Sequence, residues 1–317
     1  MRNWLQVVIW AWWVKHFWKK HYHTKWVVPL WGVRMFFWRQ RCERRKVLSL
    51  CWSGMNLIGG GISVETVYRE GNRCLLVANP CWVSWDTGKD PGKSSREFFA
   101  AYLDNQRERG VDYVVGCAHK RYTEVYWNHF LKVSGYSFFL LGEYRLLFFI
   151  PGNWHKESIS EGEVRLLHKD EVGIIQADIE RKKGFVPEFS SDRWWKELYY
   201  PGCVETWVYE KEGEIRGWVN GWRYSYLENG RIKRGIFLRW FEKERLSHSE
   251  RQAMITLLAS EWGKARDMVT MPEFILGSLS AEQLGFVISE ERYIIFAVDL
   301  QKKGEKKLVD FGSFFVF

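Results

Sequence analysis

The chain is 317 residues long, 46% hydrophobic and 27% charged, which excludes disorder as its main state and gives enough core for two domains. Seven prolines and 27 glycines exclude collagen-like and proline-rich chains. The net charge of +9 suits a polyanionic partner as well as plain solubility, and 20 tryptophans, 14 tyrosines and 21 phenylalanines make the chain unusually aromatic.

In chain order, residues 4–14 (WLQVVIWAWWV) form an apolar run that stops at Lys15. That is shorter than the ~20 residues a membrane span needs. HFWKKHYH follows where a cleavage site would stand. The reading is a chain without a transmembrane segment, in the cytoplasm. Trp4, Val7, Val8, Ala11 and Lys15 share one helical stripe, which Trp10, Trp12 and Trp13 broaden. Basic and aromatic residues interleave from 15 to 46, ending in RQRCERRK. Two readings stay open for them: buried helix with snorkelling lysines, or contact with RNA or an anionic surface. The six cysteines (Cys42, Cys51, Cys74, Cys81, Cys117, Cys203) form no C-x-x-C pair and no zinc spacing with histidine. They predict reduced, mostly buried thiols and no metal.

Residues 62–85 predict a hairpin turning at Glu70-Gly71-Asn72. Residues 94–110 predict a helix: Phe98, Phe99, Tyr102, Leu103 and Gln106 follow helical spacing, Arg107, Glu108 and Arg109 face solvent, and Gly110 stops it. VDYVVGCAH (111–119) predicts a buried strand. GYSFFLLGEYRLLFFI (135–150) reads as Gly-aromatic, short strand, charged turn, apolar strand. The polar stretch 151–163 marks a boundary, giving domains 1–152 and 153–317. After it, VRLLHKDEVGIIQADIERKKG predicts a strand and a helix. Residues 203–241 predict strands turning at Glu212-Gly213 and Asn229-Gly230. A helix over 249–265, a strand over 266–274 and GFVISEERYIIFAV (285–298) repeat the first-half order. The chain is an internal repeat.

This order, with the closing EQLGFVISEERYIIFAVDL, resembles the GNAT acetyltransferase superfamily, taken twice. The resemblance implies an α+β fold: two tandem domains, each a mostly antiparallel sheet flanked by helices, with one parallel strand pair that splays open. It also implies acetyl-CoA, or another acyl-CoA, in the splay, its pyrophosphate on amides opening the central helix. The family loop reads Gln/Arg-x-x-Gly-x-Gly/Ala. In the first copy it matches Lys89-Asp90-Pro91-Gly92-Lys93-Ser94, so Lys89, Gly92, Lys93, Ser94 and Ser95 become the cofactor-binding candidates. In the second copy it matches Arg245-Leu246-Ser247-His248-Ser249-Glu250, where His248 and Glu250 replace the glycines and Glu250 opposes phosphate. Both loops also read as ordinary helix caps through Ser94 and Ser249. A P-loop ending in Gly92-Lys93-Ser94 would need glycine where Thr87 stands.

Acyl transfer to an amine needs a base, and often an acid for the leaving thiolate. The family's acid tyrosine would fall at Leu131 and Ala281, so neither copy has it. Tyr122, Tyr126 and His129 stand nearby, with Tyr126 the candidate, and Glu65 and His119 are the candidate bases. Each also has a purely structural reading. The resemblance implies an acyl-CoA-dependent N-acyltransferase, foremost an N-acetyltransferase, acting on an unidentified amine, with a supporting second domain. The rivals are a non-catalytic scaffold that binds RNA or the ribosome through the basic aromatic surface, and a transferase anchored at a membrane surface by the tryptophan-rich segment.

Overall fold

The computed structural model describes residues 28–29, 45–53, 56–85, 91–122, 135–149, 162–182, 184, 186–228, 231–242, 245–263, 268–276, 281–282 and 284–301. Apart from Val28, Pro29, Arg45 and Lys46, the aromatic, basic N-terminal segment lies outside them. Among the described residues thirteen strands make one sheet: β1 (Val28–Pro29), β2 (Arg45–Ser53), β3 (Asn56–Glu70), β4 (Arg73–Trp85), β5 (Tyr113–His119), β6 (Ser137–Phe149), β7 (Glu163–Leu166), β8 (Val186–Pro187), β9 (Val204–Lys211), β10 (Glu214–Glu228), β11 (Arg231–Glu242), β12 (Met268–Pro272) and β13 (Val287–Asp299). Four helices of eight residues or more accompany them among the described residues: α1 (Pro91–Glu108), α2 (Val172–Glu180), α3 (Ser191–Leu198) and α4 (His248–Gly263). None of the described helices is long and apolar enough to cross a membrane.

Local signals form as read. The β3–β4 turn takes Gly71 at φ +57°, and the β9–β10 turn takes Glu212 and Gly213 at φ 55° and 76°. Gly110, at φ +79°, ends α1. Phe99, Tyr102 and Leu103 bury against Ala78, Val114, Phe296 and Val298, each side chain contributing about 1.5–3 kcal/mol. Arg109 departs from its solvated expectation. It donates from Nε to Glu65 Oε1 at 2.9 Å, on the face of the sheet that α1 covers. Cys203 is buried, Cys117 is half-buried and Cys74 is exposed.

The sheet order is β2-β3-β4-β5-β13-β6-β12-β11-β10-β9-β7. This order corrects the two closing hairpins expected from the sequence. Each is instead one long strand with no turn, and the two pair antiparallel with each other. The second part of β13 (Tyr293–Asp299) lies on β5 of the first half. The last residues of β6 (Leu146–Phe149) lie on β12 of the second half. Each half therefore receives its last strand from the other. The charged segments read as turns mark the crossing, where Tyr293 pairs with Tyr144 and Arg292 with Arg145.

A second exchange accompanies the first. β8 pairs with the end of β3 (Pro187 with Tyr68, Val186 with Arg69). Reciprocally, β1 pairs with the end of β10 (Pro29 with Tyr226, Val28 with Leu227). One sequence offset relates Val28 to Val186, Pro29 to Pro187, Tyr68 to Tyr226 and Arg69 to Leu227, so a Val-Pro strap of each half edges the sheet of the other. The Glu188 N–H also donates to Val67 O at 2.9 Å, and Arg69 pairs with Glu188.

The second half is a three-layer core. On one face α4 buries Met254, Ile255 and Leu258 against Ile236, Leu238 and Met271. On the other, α2 and α3 bury Ile175, Ile179, Trp194 and Leu198 against Trp218, Trp222 and Trp240. Within this layer Arg239 is fully buried. Its guanidinium lies 3.9 Å from the Trp240 ring centroid, donates to Asn220 Oδ1, and meets Glu197 Oε2 at 3.3 Å.

Candidate active site

Two parallel strand pairs fork, one per half. In the first, β4 and β5 pair only at Val77↔Tyr113 and Ala78↔Val114. The base of this fork is fastened by Asp112, whose N–H donates to Leu76 O at 2.8 Å while its Oδ2 accepts from Leu76 N–H at 2.9 Å. One step beyond, Asn79 Nδ2 donates to Val115 O at 3.1 Å. Past that bridge the two strands separate, and among the described residues no strand lies between them. Facing backbone N–H and C=O groups there need partners from elsewhere. β4 also carries an extra residue just past the fork: Ser84 pairs with Gly60 but Cys81 with Ile62. Bulges of this kind re-aim backbone groups beside active sites.

α1 begins at Pro91 after β4, with no acidic residue in its first turn. The backbone of Gly92, Lys93, Ser94 and Ser95 forms that turn, and the N–H groups that open a helix suit an anion. Lys89 and Tyr126 lie outside the described residues.

The second fork has the same plan. β11 and β12 pair at Gly235↔Met268, Ile236↔Val269 and Phe237↔Thr270. The extra residue beyond this fork is the buried Arg239, between Leu238 and Trp240. The loop before α4 is consumed by its own side chains. Ser247 N–H donates to Glu250 Oε2 at 2.9 Å and Glu250 N–H to Ser247 Oγ at 3.2 Å, a reciprocal capping box. These bonds from Ser247 hold the Glu250 carboxyl below its usual range. Arg245 is turned away, its Nη1 lying 3.1 Å from Asp178 Oδ1.

The candidate bases do not converge. Glu65 is 3% exposed on β3, beneath α1, with Arg109 Nη2 2.8 Å from its Oε1. His119 ends β5 on the opposite face of the sheet from α1, since strand residues alternate and Ala118 packs with the α1 cluster. The His119 ring meets Tyr293 edge-on at 5.4 Å. Tyr293 stacks on Tyr144 at 5.6 Å, and Tyr144 OH lies 2.7 Å from Cys117 Sγ. Burial pushes the Cys117 thiol up to about 12 and drives Tyr144 upward as well, so both stay protonated and Cys117 is no nucleophile. Burial, followed by nearby Glu291, pushes Tyr293 up to about 12.

An open groove beside the fork is lined by His119, Lys120, Arg121, Glu290, Glu291 and Arg292. Five of these residues were not singled out from the sequence, because only the strand exchange brings 290–292 against 119. Local patterning carries no signal for that meeting. Among the described residues no three His, Cys, Asp or Glu side chains are grouped to hold a metal ion.

No protein-family model matches the chain, and no curated protein matches it by sequence. Solved structures do. Saccharomyces cerevisiae N-myristoyltransferase with bound myristoyl-CoA superposes with a TM-score of 0.59 at 8% identity, covering 88% of this chain and 73% of that one. A second structure of the same yeast protein with myristoyl-CoA gives 0.59 at 9% identity, covering 86% and 74%. A GCN5-related N-acetyltransferase from Anabaena variabilis aligns at 0.48 with 10% identity, covering 77% and 61%. At such identities the likeness speaks of fold. Over most of its length the chain has a fold similar to that of N-myristoyltransferase.

Proposed function

We propose that the protein is an acyl-CoA-dependent N-acyltransferase that takes its co-substrate in the first fork. The single observation that carries this reading is the contrast between two forks of one plan. In the first, β4 and β5 part after Ala78↔Val114 with no strand between them among the described residues, and the helix that follows β4 has no acidic residue in its first turn. The second caps its helix with Glu250, whose carboxylate opposes a phosphate there. An extended pantetheine arm would satisfy the facing strand amides of the first fork. Its pyrophosphate would sit on the amides from Gly92 to Ser95, with Lys89 and Lys93 supplying charge. The yeast structures, which bind myristoyl-CoA on a similar fold, support the co-substrate class. Acetyl-CoA remains the first acyl donor to try, and a long-chain acyl-CoA the second. The amine is recognised on the face that carries His119, because α1 covers the other.

Calorimetric titration with acetyl-CoA and with myristoyl-CoA tests this. Micromolar binding of one of them, weakened at least tenfold by Gly92→Glu and unchanged by Glu250→Gln, is the expected result. Neither ligand binding to the unmodified protein overturns the enzyme reading. RNA or ribosome binding through residues 15–46 would then be the function to measure.

A further inference from the structure

We infer that the base for the acceptor amine is Glu291, on the strand contributed by the end of the chain, with His119 as its positioning residue. This rests on the acyltransferase reading above. His119 has two ring nitrogens. Arg121 N–H donates to Nδ1 at 3.2 Å, so that nitrogen keeps its lone pair and the proton of the neutral ring sits on Nε2. A protonated Nε2 cannot take a further proton. It points instead to Glu291, with Nε2 3.8 Å from Oε1. That gap is longer than a hydrogen bond and is of the kind that closes when substrate binds. Tyr293 OH donates to the other carboxylate oxygen, Oε2, at 3.3 Å.

Two further features single out this carboxylate. β13 bulges at Ser289–Glu291, which have no partners on β6 between the pairs Ile288↔Leu147 and Arg292↔Arg145. Glu291 N–H donates to Ser289 Oγ at 3.1 Å, fixing the bulge over the groove. The cations nearest to hand are already engaged elsewhere: Lys120 Nζ is 2.9 Å from Glu143 Oε2 and Arg292 Nη1 is 2.7 Å from Glu143 Oε1. Glu291 thus faces the groove beside His119 and Tyr293, while Glu143 neutralises Lys120 and Arg292. His119, Tyr293, Glu290, Arg121, Lys120 and Arg292 are the titratable groups around it.

In the step, a neutral amine attacks the thioester carbonyl. As the N–C bond forms, the nitrogen gives one proton to Glu291. The C–S bond then breaks, and its electron pair stays on sulfur as thiolate, which solvent protonates.

The test measures thiol release at saturating acyl-CoA with spermidine, lysinamide and a glycine-initiated peptide as probe acceptors. Glu291→Gln is expected to lower kcat about 10²-fold, to leave acyl-CoA binding unchanged and to erase the acidic limb of the pH profile. His119→Gln is expected to lower kcat less and to keep that limb. A larger loss in His119→Gln, or wild-type kcat in Glu291→Gln, overturns the assignment. Loss of acyl-CoA binding by the unmodified protein would be a failure of the acyltransferase reading alone. Nitrogen-15 spectra of the imidazoles test the inference without turnover. His119 should show the Nε2–H tautomer, with its Nε2–H signal displaced in Glu291→Gln. An Nδ1–H tautomer, or an undisplaced signal, overturns it.

Discussion

Replacing Gly116 by alanine tests the strand exchange directly. Gly116 on β5 pairs with Phe296 on β13, from the other end of the chain. A Cβ at Gly116 would lie 2.6 Å from Phe296 Cζ and 3.2 Å from Cε1 and Cε2. Ordinary contacts begin near 3.4 Å, so the ring must retreat by most of an ångström. It has little room to do so. Phe296 is 1% exposed, stacked on Phe138 at 5.6 Å, and roofed by Phe99, Tyr102 and Leu103 of α1. Overpacking of this kind costs about 1–3 kcal/mol, offset by about 0.4–1 kcal/mol from the stiffer unfolded chain. Gly116→Ala is therefore expected to destabilise by about 1–2 kcal/mol in urea unfolding followed by circular dichroism. Phe296→Leu removes the colliding end of the ring and leaves a cavity, a cost of about 1–2 kcal/mol by itself. Together the two should cost at least about 1 kcal/mol less than their sum, because each relieves the other. Additive costs, within about 0.3–0.5 kcal/mol, would refute the reasoning. They would mean that β13 does not lie on β5 and that the halves do not exchange strands.

Gln106 is fully buried in α1, and neither its amide nitrogen nor its amide oxygen has a partner. Gln106→Leu should stabilise the protein by about 1–2 kcal/mol, since an unpaired buried amide is costly. A loss in the same urea assay would refute this. Arg165 is the main cause that holds Glu171 below its usual range, and Ser247 does the same for Glu250. A carboxyl depressed in the folded state stabilises it above the unfolded value, near 4.5, and that contribution is lost as pH falls through the folded value. The urea midpoint should fall below pH 4.5, less steeply in Glu171→Gln and in Glu250→Gln. An identical slope in all three proteins would show that these bonds carry no linkage.

The sequence by itself determined the local elements and their repetition. Helical spacing of Phe99, Tyr102 and Leu103 with a Gly110 stop made α1 legible, and so did Glu-Gly turns for β3–β4 and β9–β10. The contrast between Gly92 and Glu250 was legible too, because a helix N-terminus announces itself by its caps and charges. Partner choice was not. GYSFFLLGEYRLLFFI carries the same alternation whether it folds back on itself or runs straight across to the other half, because backbone bonds do not read side chains. The charge in its middle resembles a turn, and in the structure it marks an exposed crossing with Glu143 between Lys120 and Arg292. The tertiary structure alone decided that β13 lies between β5 and β6 and that Val28–Pro29 and Val186–Pro187 strap opposite halves. It also decided that Glu291 stands beside His119. The reason is physical: these contacts join residues far apart in the chain, and they are fixed by how two curved half-sheets complete each other rather than by any short-range preference.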